Sequence, residues 1–315
     1  MTHSRPDRPA HALGPHFADG IVRRVRELGH PLCAGLDPHL AAIPPLFRRG
    51  SMAPADPATA EAVETFLLAF VERLAGRVAV AKPQIAFFEQ LGWRGWRVLE
   101  RVCAALRESG VGVLMDAKRG DIGSTAEGYA RAFLAADAAT PCDALTVNPY
   151  LGSDSLAPLV ETAREAGRGL FVLVKTSNPG SGDLQDRTVD GAPLYEAVAR
   201  MLAPVAEAWK GPETGWSSLG VVVGATYPEE APRIRALLPR SLMLVPGYGA
   251  QGGGAADALR GFVPGPSGLE GGLVNSSRGL LFPKGSDTDD AGTWERALDA
   301  ALDAAIDDLG RAVSG

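Results

Sequence analysis

The segment VGVLMDAKRGDIGST, residues 111–125, places Asp116, Lys118 and Asp121 within six residues at the end of an apolar run. Residues two apart on a strand project to the same side, so Asp116 and Lys118 are expected to meet. Asp121 follows a glycine turn and can swing back toward the lysine or toward a neighbouring subunit. Lys82, in the run VAVAKPQ, lies on the strand before and is close enough to join them. The bland alternative is a structural salt-bridge network. Inward ion pairs stabilise poorly compared with apolar packing, so four such charges call for a chemical reason. A lysine between two carboxylates stays protonated, which makes it a poor Schiff-base nucleophile and a good proton donor to a carbanion. The same carboxylates repel an anionic substrate group. At ~4 Å and an effective dielectric near 20 the repulsion is on the order of 4 kcal/mol, and it is relieved if that group leaves as CO2.

Further polar residues recur at the ends of apolar runs: Asp37, Asn148, Ser177 with Asn178, and Arg278. The eight runs are 32–37, 78–84, 111–118, 144–150, 170–177, 219–226, 242–249 and 271–278. Their near-continuous Val/Leu content predicts strands buried on both faces of a parallel sheet. Helical stretches alternate with them, such as AEAVETFLLAFVERLAG and WRGWRVLERVCAALRESG, the latter closing on Ser-Gly. This alternation predicts a single-domain (β/α)8 TIM barrel over residues 21–315, preceded by an N-terminal extension, 1–20. Such a barrel carries its chemistry at the C-terminal ends of its strands. Residues 38–60 read as an extended loop, and 178–193 as a mobile loop after strand five.

The segment PGYGAQGGGAADALRG, 246–261, opens with Pro246 and presents the backbone N–H groups of Gly247 and the glycines beyond, with Gln251 and Gly252, to an anion. Arg278, after the eighth run, adds a fork for phosphate oxygens, and a phosphate site in the last two loops is usual for this fold. Ser177 or Asn178 is expected to recognise the body of the substrate, with Asn148 in a similar part. Asp37 accepts from sugar hydroxyls or pairs with Lys82.

Bulk properties narrow the class. With 46% hydrophobic and 22% charged residues over 315, the chain reads as an ordinary globular protein. A net charge of −6 argues against non-specific nucleic-acid binding, no apolar run is long enough to span a bilayer, and the start lacks a signal-peptide core. Three separated cysteines fit a reduced cytoplasmic protein. All five histidines precede residue 40, which removes a Ser-His-Asp triad or a polyhistidine metal site from the body of the chain.

These residues resemble the orotidine 5′-phosphate decarboxylases. LMDAKRGDIGST matches that family's signature at Asp116, Lys118, Asp121, Ile122, Gly123 and Thr125. PGYGAQGG with Arg278 resembles its phosphate grip, and KTSNPGS its pyrimidine-recognition segment. AKPQIAFFE and TVNPYLGSDS look like the longer bacterial type-2 branch. The resemblance implies conversion of orotidine 5′-phosphate (OMP) to UMP and CO2 without metal or organic cofactor. It implies that Lys118 protonates C6, that Asp116 lies against the substrate carboxylate, and that Lys82 orients the ribose and Asp116, with Asp37 on a ribose hydroxyl. It further implies a homodimer in which Asp121 and Thr125 complete the neighbouring subunit's site. The rivals are a metal-dependent sugar-phosphate enzyme on the same barrel and a silent phosphate-ligand binder.

Overall fold

The Val/Leu runs do become strands buried on both faces. The computed structural model of the protein describes residues 13–249 and 253–315. Among them, β1 (Leu32–Leu36), β2 (Val80–Pro83), β3 (Gly112–Arg119), β4 (Ala144–Val147), β5 (Gly169–Lys175), β6 (Ser217–Val223), β7 (Ser241–Val245) and β8 (Gly272–Ser276) form a closed barrel. Each strand pairs in parallel with its sequence neighbour, and β1 closes on β8 through Leu32↔Val274 and Ala34↔Ser276. Helices lie between the strands on the outside, and the expected (β/α)8 barrel is the observed fold. No helix of the described residues is long and apolar enough to cross a membrane.

One end of the barrel is sealed. A helix from Phe17 to Leu28 packs Phe17, Ile21, Val22 and Val25 against inward-facing Val80, Leu114, Phe171 and Leu244. It sits where the strands begin: the Ala18 N–H donates to Ser218 Oγ at the start of β6, and Phe17 meets Phe171 edge-on at 6.0 Å between centroids. A Cβ at Gly169, the first residue of β5, would come within 2.2 Å of the Phe17 ring, so only glycine fits there. The expected boundary at residue 20 falls inside this helix and is corrected by it: residues 13–20 belong to the barrel's closed floor. With that end plugged, a ligand can reach the barrel axis only from the C-terminal ends of the strands.

Two expected loops carry more structure than their composition suggested. Residues 38–60 hold two short 3-10 turns, Leu40–Ala42 and Pro45–Phe47, and the helix Pro57–Leu74 already starts within the segment. Ile43 and Phe47 are buried there, and Asp56 caps the helix by accepting the Ala58 N–H. Residues 178–193 form a 3-10 turn, Pro179–Asp183, followed by a two-stranded ribbon pairing Thr188 with Pro193.

Candidate active site

At the open end, Asp116 is the centre of a row of charges. Its Oδ2 accepts from Lys82 Nζ at 2.7 Å and from Gln84 Nε2 at 3.0 Å. Its Oδ1 accepts from Lys118 Nζ at 2.6 Å and from the Thr146 hydroxyl at 3.0 Å. Four donors thus surround one buried carboxylate. Burial pushes its pKa up, but the ammonium groups of Lys82 and Lys118 together outweigh that and hold the carboxyl well below the usual carboxylate range. Burial pulls Lys82 down, and the opposing charges of Asp116 and Asp37 reverse this and raise it above an ordinary lysine. Lys82 and Asp116 are almost wholly buried, whereas the Lys118 side chain is 45% exposed toward the open end.

The meeting of Asp116 and Lys118 does not come from regular strand alternation. Lys118 has a left-handed backbone, φ 49°, which costs a non-glycine residue on the order of 1 kcal/mol or more. The register between β3 and β4 jumps from Met115↔Leu145 to Arg119↔Val147, a bulge that re-aims both side chains.

A cavity of about 200 Å3 joins this row to the last two strand-end loops. It is lined by Asp37, His39, Lys82 and Asp116 on one side and by Pro246, Gly247, Tyr248, Asn275, Ser277 and Arg278 on the other. Gly247 adopts φ 101°, a conformation that only glycine takes without strain, and its carbonyl accepts the Gly253 N–H. Tyr248 anchors this loop through its hydroxyl, which donates to Asp308 at 2.7 Å on the C-terminal helix Ala291–Ser314. Arg278, at the start of a short helical turn after β8, is exposed, and its guanidinium has no partner among the described residues. An exposed arginine sharing a cavity with a glycine loop suits a phosphate-sized anion. Gln251 and Gly252, expected in the same grip, lie outside the described residues.

The loop after β5 is held in place from below. Lys175 is fully buried, and its Nζ reaches Asp186 at 2.7 Å and stands 4.2 Å from the Tyr227 ring centroid. Gln185 accepts the Thr176 N–H and donates to the Thr176 hydroxyl. Asn178 is engaged locally: its Oδ1 accepts from Thr176 Oγ1 at 2.7 Å. The Ser177 hydroxyl, by contrast, has no partner among the described residues.

Other expected residues stand apart from the cavity. Asn148 accepts the Tyr150 N–H at 3.0 Å, an Asx turn, and lines a separate groove with Tyr150, Leu184 and Gln185. Asp121 accepts only the N–H of Ile122 among the described residues, and it does not reach Lys118 within the chain. Thr125 is exposed on the helix Gly123–Phe133, beside Ile122, whose side chain is 59% exposed. Gln84, Thr146, Lys175 and His39 were not singled out by their types or spacing. Gln84 and Thr146 were detectable only as polar residues within the matched strand runs.

Residues 30–285 match the model of the "Orotidine 5'-phosphate decarboxylase / HUMPS family". The chain belongs to this family. It is 41% identical over 295 residues to an orotidine 5′-phosphate decarboxylase of Rhodopirellula baltica, covering 90% of this chain and 96% of the relative. It is 39% identical to that of Deinococcus radiodurans, covering 93% and 99%. Among solved structures, Leishmania donovani OMP decarboxylase superposes with a TM-score of 0.71 at 33% identity, covering 95% of this chain and 99% of that one. Family membership therefore agrees with the site's two halves, a charged row and an anion grip across one cavity.

Proposed function

We propose that this protein is an orotidine 5′-phosphate decarboxylase, releasing CO2 from OMP to give UMP. The observation that carries the reading is the Lys82–Asp116–Lys118 row, one carboxylate saturated by four donors, whose Lys82 and Asp116 line the same cavity as Arg278, an arginine with no partner among the described residues. In this reading the substrate phosphate binds the Gly247 loop and Arg278. The pyrimidine is read by Ser177, whose hydroxyl has no partner among the described residues where Asn178 is already engaged. Asp37 and Lys82 hold the ribose. The substrate carboxylate then stands against Asp116, whose lowered pKa keeps it charged. The bond from C6 to the carboxylate breaks, the electron pair remains on C6, and Lys118 delivers a proton to that carbon as CO2 departs. Lys118 recovers its proton from solvent, to which it is open. Stabilisation of the carbanion by the fixed ammonium groups and repulsion of the bound carboxylate act in the same direction. Phosphate binding far from C6 supplies the energy that holds the ring in this environment.

The reading includes a homodimer. Thr125 is exposed and Asp121 half-buried beside exposed Ile122, and Asp121 does not reach Lys118 within its own chain, which supports their service in a partner's site. It also includes the longer bacterial branch, on AKPQIAFFE and TVNPYLGSDS, and a cytoplasmic location, which the three free buried thiols support. The test is to follow orotate-ring absorbance when the protein meets OMP, with mixed Lys118→Ala and Asp121→Ala subunits alongside. Half of randomly mixed dimers are hybrids with one intact site in two, so roughly a quarter of full activity returns if sites are shared. No recovery contradicts the shared site, and no OMP consumption by the unaltered protein contradicts the activity.

A further inference from the structure

The bulge in β3 raises the question of what holds it. Regular pairing sends the N–H groups of consecutive residues to opposite neighbours, so only one of residues 117 and 118 would find a carbonyl on β4. Instead, residues 116, 117 and 118 all stand opposite the single residue Thr146. The Thr146 hydroxyl accepts the Ala117 N–H at 3.0 Å and the Lys118 N–H at 2.9 Å, and it donates its own proton to Asp116 Oδ1 at 3.0 Å. A hydroxyl has one proton and two lone pairs, so all of its capacity is spent on these three groups. Thr146 is itself only 1% exposed, which keeps these three groups away from bulk solvent.

We propose that Thr146 is the positioning residue of this site. Its hydroxyl stands in for the missing strand carbonyl, fixes the left-handed turn at Lys118, and locks the carboxylate plane of Asp116 against both lysines. It touches no reacting atom. It acts through the two residues assigned above as carboxylate partner and proton donor, and so rests on that assignment. A backbone strained at Lys118 persists only where its surroundings over-determine it, and Thr146 supplies both of the hydrogen bonds that the bulge leaves open.

The chemistry makes the residue type specific. Valine has the same shape but would strand two N–H donors and one carboxylate lone pair. Serine keeps the hydroxyl and loses only a methyl group. Thr146→Val is therefore expected to lower kcat for OMP about ten- to hundredfold, the range for leaving buried polar groups unpaired. UMP affinity should move by no more than roughly threefold, because the phosphate grip is untouched. Thr146→Ser should restore kcat to within about fivefold of the unaltered protein.

Unaltered kcat in Thr146→Val overturns the proposal. So does a Thr146→Ser variant as impaired as Thr146→Val, which would assign the effect to methyl packing. If the valine variant does not fold, the serine variant decides: a folded, active serine protein supports the hydroxyl's role, and an unfolded one refutes it. The unaltered protein assayed in parallel separates this outcome from the parent reading, since absent turnover there counts against the decarboxylase assignment alone.

Discussion

The buried pair Lys82–Asp116 makes a prediction about stability as well as turnover. The ammonium and carboxylate lie 2.7 Å apart, with side chains 5% and 9% exposed. At an effective dielectric near 20 their gross attraction is on the order of 6 kcal/mol, most of it spent on removing both charges from water. Lys82→Met leaves the carboxylate with Lys118 as its one cation, and Asp116→Asn leaves a buried ammonium beside Asp37. Each single variant is expected to lose ~3–5 kcal/mol of unfolding free energy, as when one member of a buried pair is removed. The double variant removes the pair together, and Lys118, with its side chain nearly half exposed, can turn to water. It should therefore lose no more than either single variant, a coupling of ~3–5 kcal/mol. Urea unfolding followed by circular dichroism at neutral pH gives all four free energies, and OMP turnover should be lost in all three variants. A stable but inactive double variant identifies the pair as held for chemistry. Additive losses, with the double variant near the sum of the singles, refute the reasoning.

Three further outcomes follow from the same geometry. Arg278→Ala should weaken UMP binding about ten- to hundredfold, the loss of charge-assisted hydrogen bonds to phosphate, while uridine binding measured by calorimetry stays unchanged. The Lys82–Asp116 contribution to stability should be flat from about pH 5 to pH 9. Asp116 is lowered, so its share is present above its ordinary 3.8 and is lost as pH falls through the lower folded value; Lys82 is raised, so its share is present below 10.5 and is lost as pH rises through the higher one. A step inside that window, in the difference between the unaltered and double-variant proteins, would contradict both directions. Lys175→Met should leave global stability nearly unchanged, because half-exposed Asp186 can return to water. The amide protection of Gln185 in the loop it pins, and of Tyr195, whose N–H donates to the Gln185 carbonyl, should fall about tenfold in hydrogen exchange, and unchanged protection would remove Lys175 from that task.

The barrel was legible in the sequence because a strand buried on both faces must be apolar along its whole length, and that signal is local. The charges at strand ends were legible for the complementary reason: Asp116, Lys118 and Lys82 stand where the apolar runs end, and inward ion pairs stabilise too poorly to be kept for packing. What stayed hidden depends on tertiary placement. Thr146 is an ordinary strand threonine until the β3 bulge is known, and neither the bulge nor the turned backbone of Lys118 has a glycine or proline to announce it. A boundary at residue 20 cuts the helix Phe17–Leu28, whose apolar face closes the barrel floor, because only the folded barrel shows what that face packs against. Asn148 was expected in the site from its position alone; its side chain instead completes its own turn. Lys175 continues an apolar strand, and only the fold of residues 178–193 over it supplies the carboxylate that makes its burial tolerable.

The central claim is that Lys118 carries the proton to C6 while the rest of the site holds the nucleotide. The measurement that tests it most directly is the absorbance of OMP mixed with metal-stripped protein, unaltered and as Lys118→Ala, with UMP affinity determined for both. The account predicts rapid loss of the orotate ring signal with the unaltered protein, none with Lys118→Ala, and UMP bound by both. Turnover retained by Lys118→Ala would contradict the proton-donor role, and turnover by the unaltered protein that returns only with added divalent metal would contradict the cofactor-free mechanism.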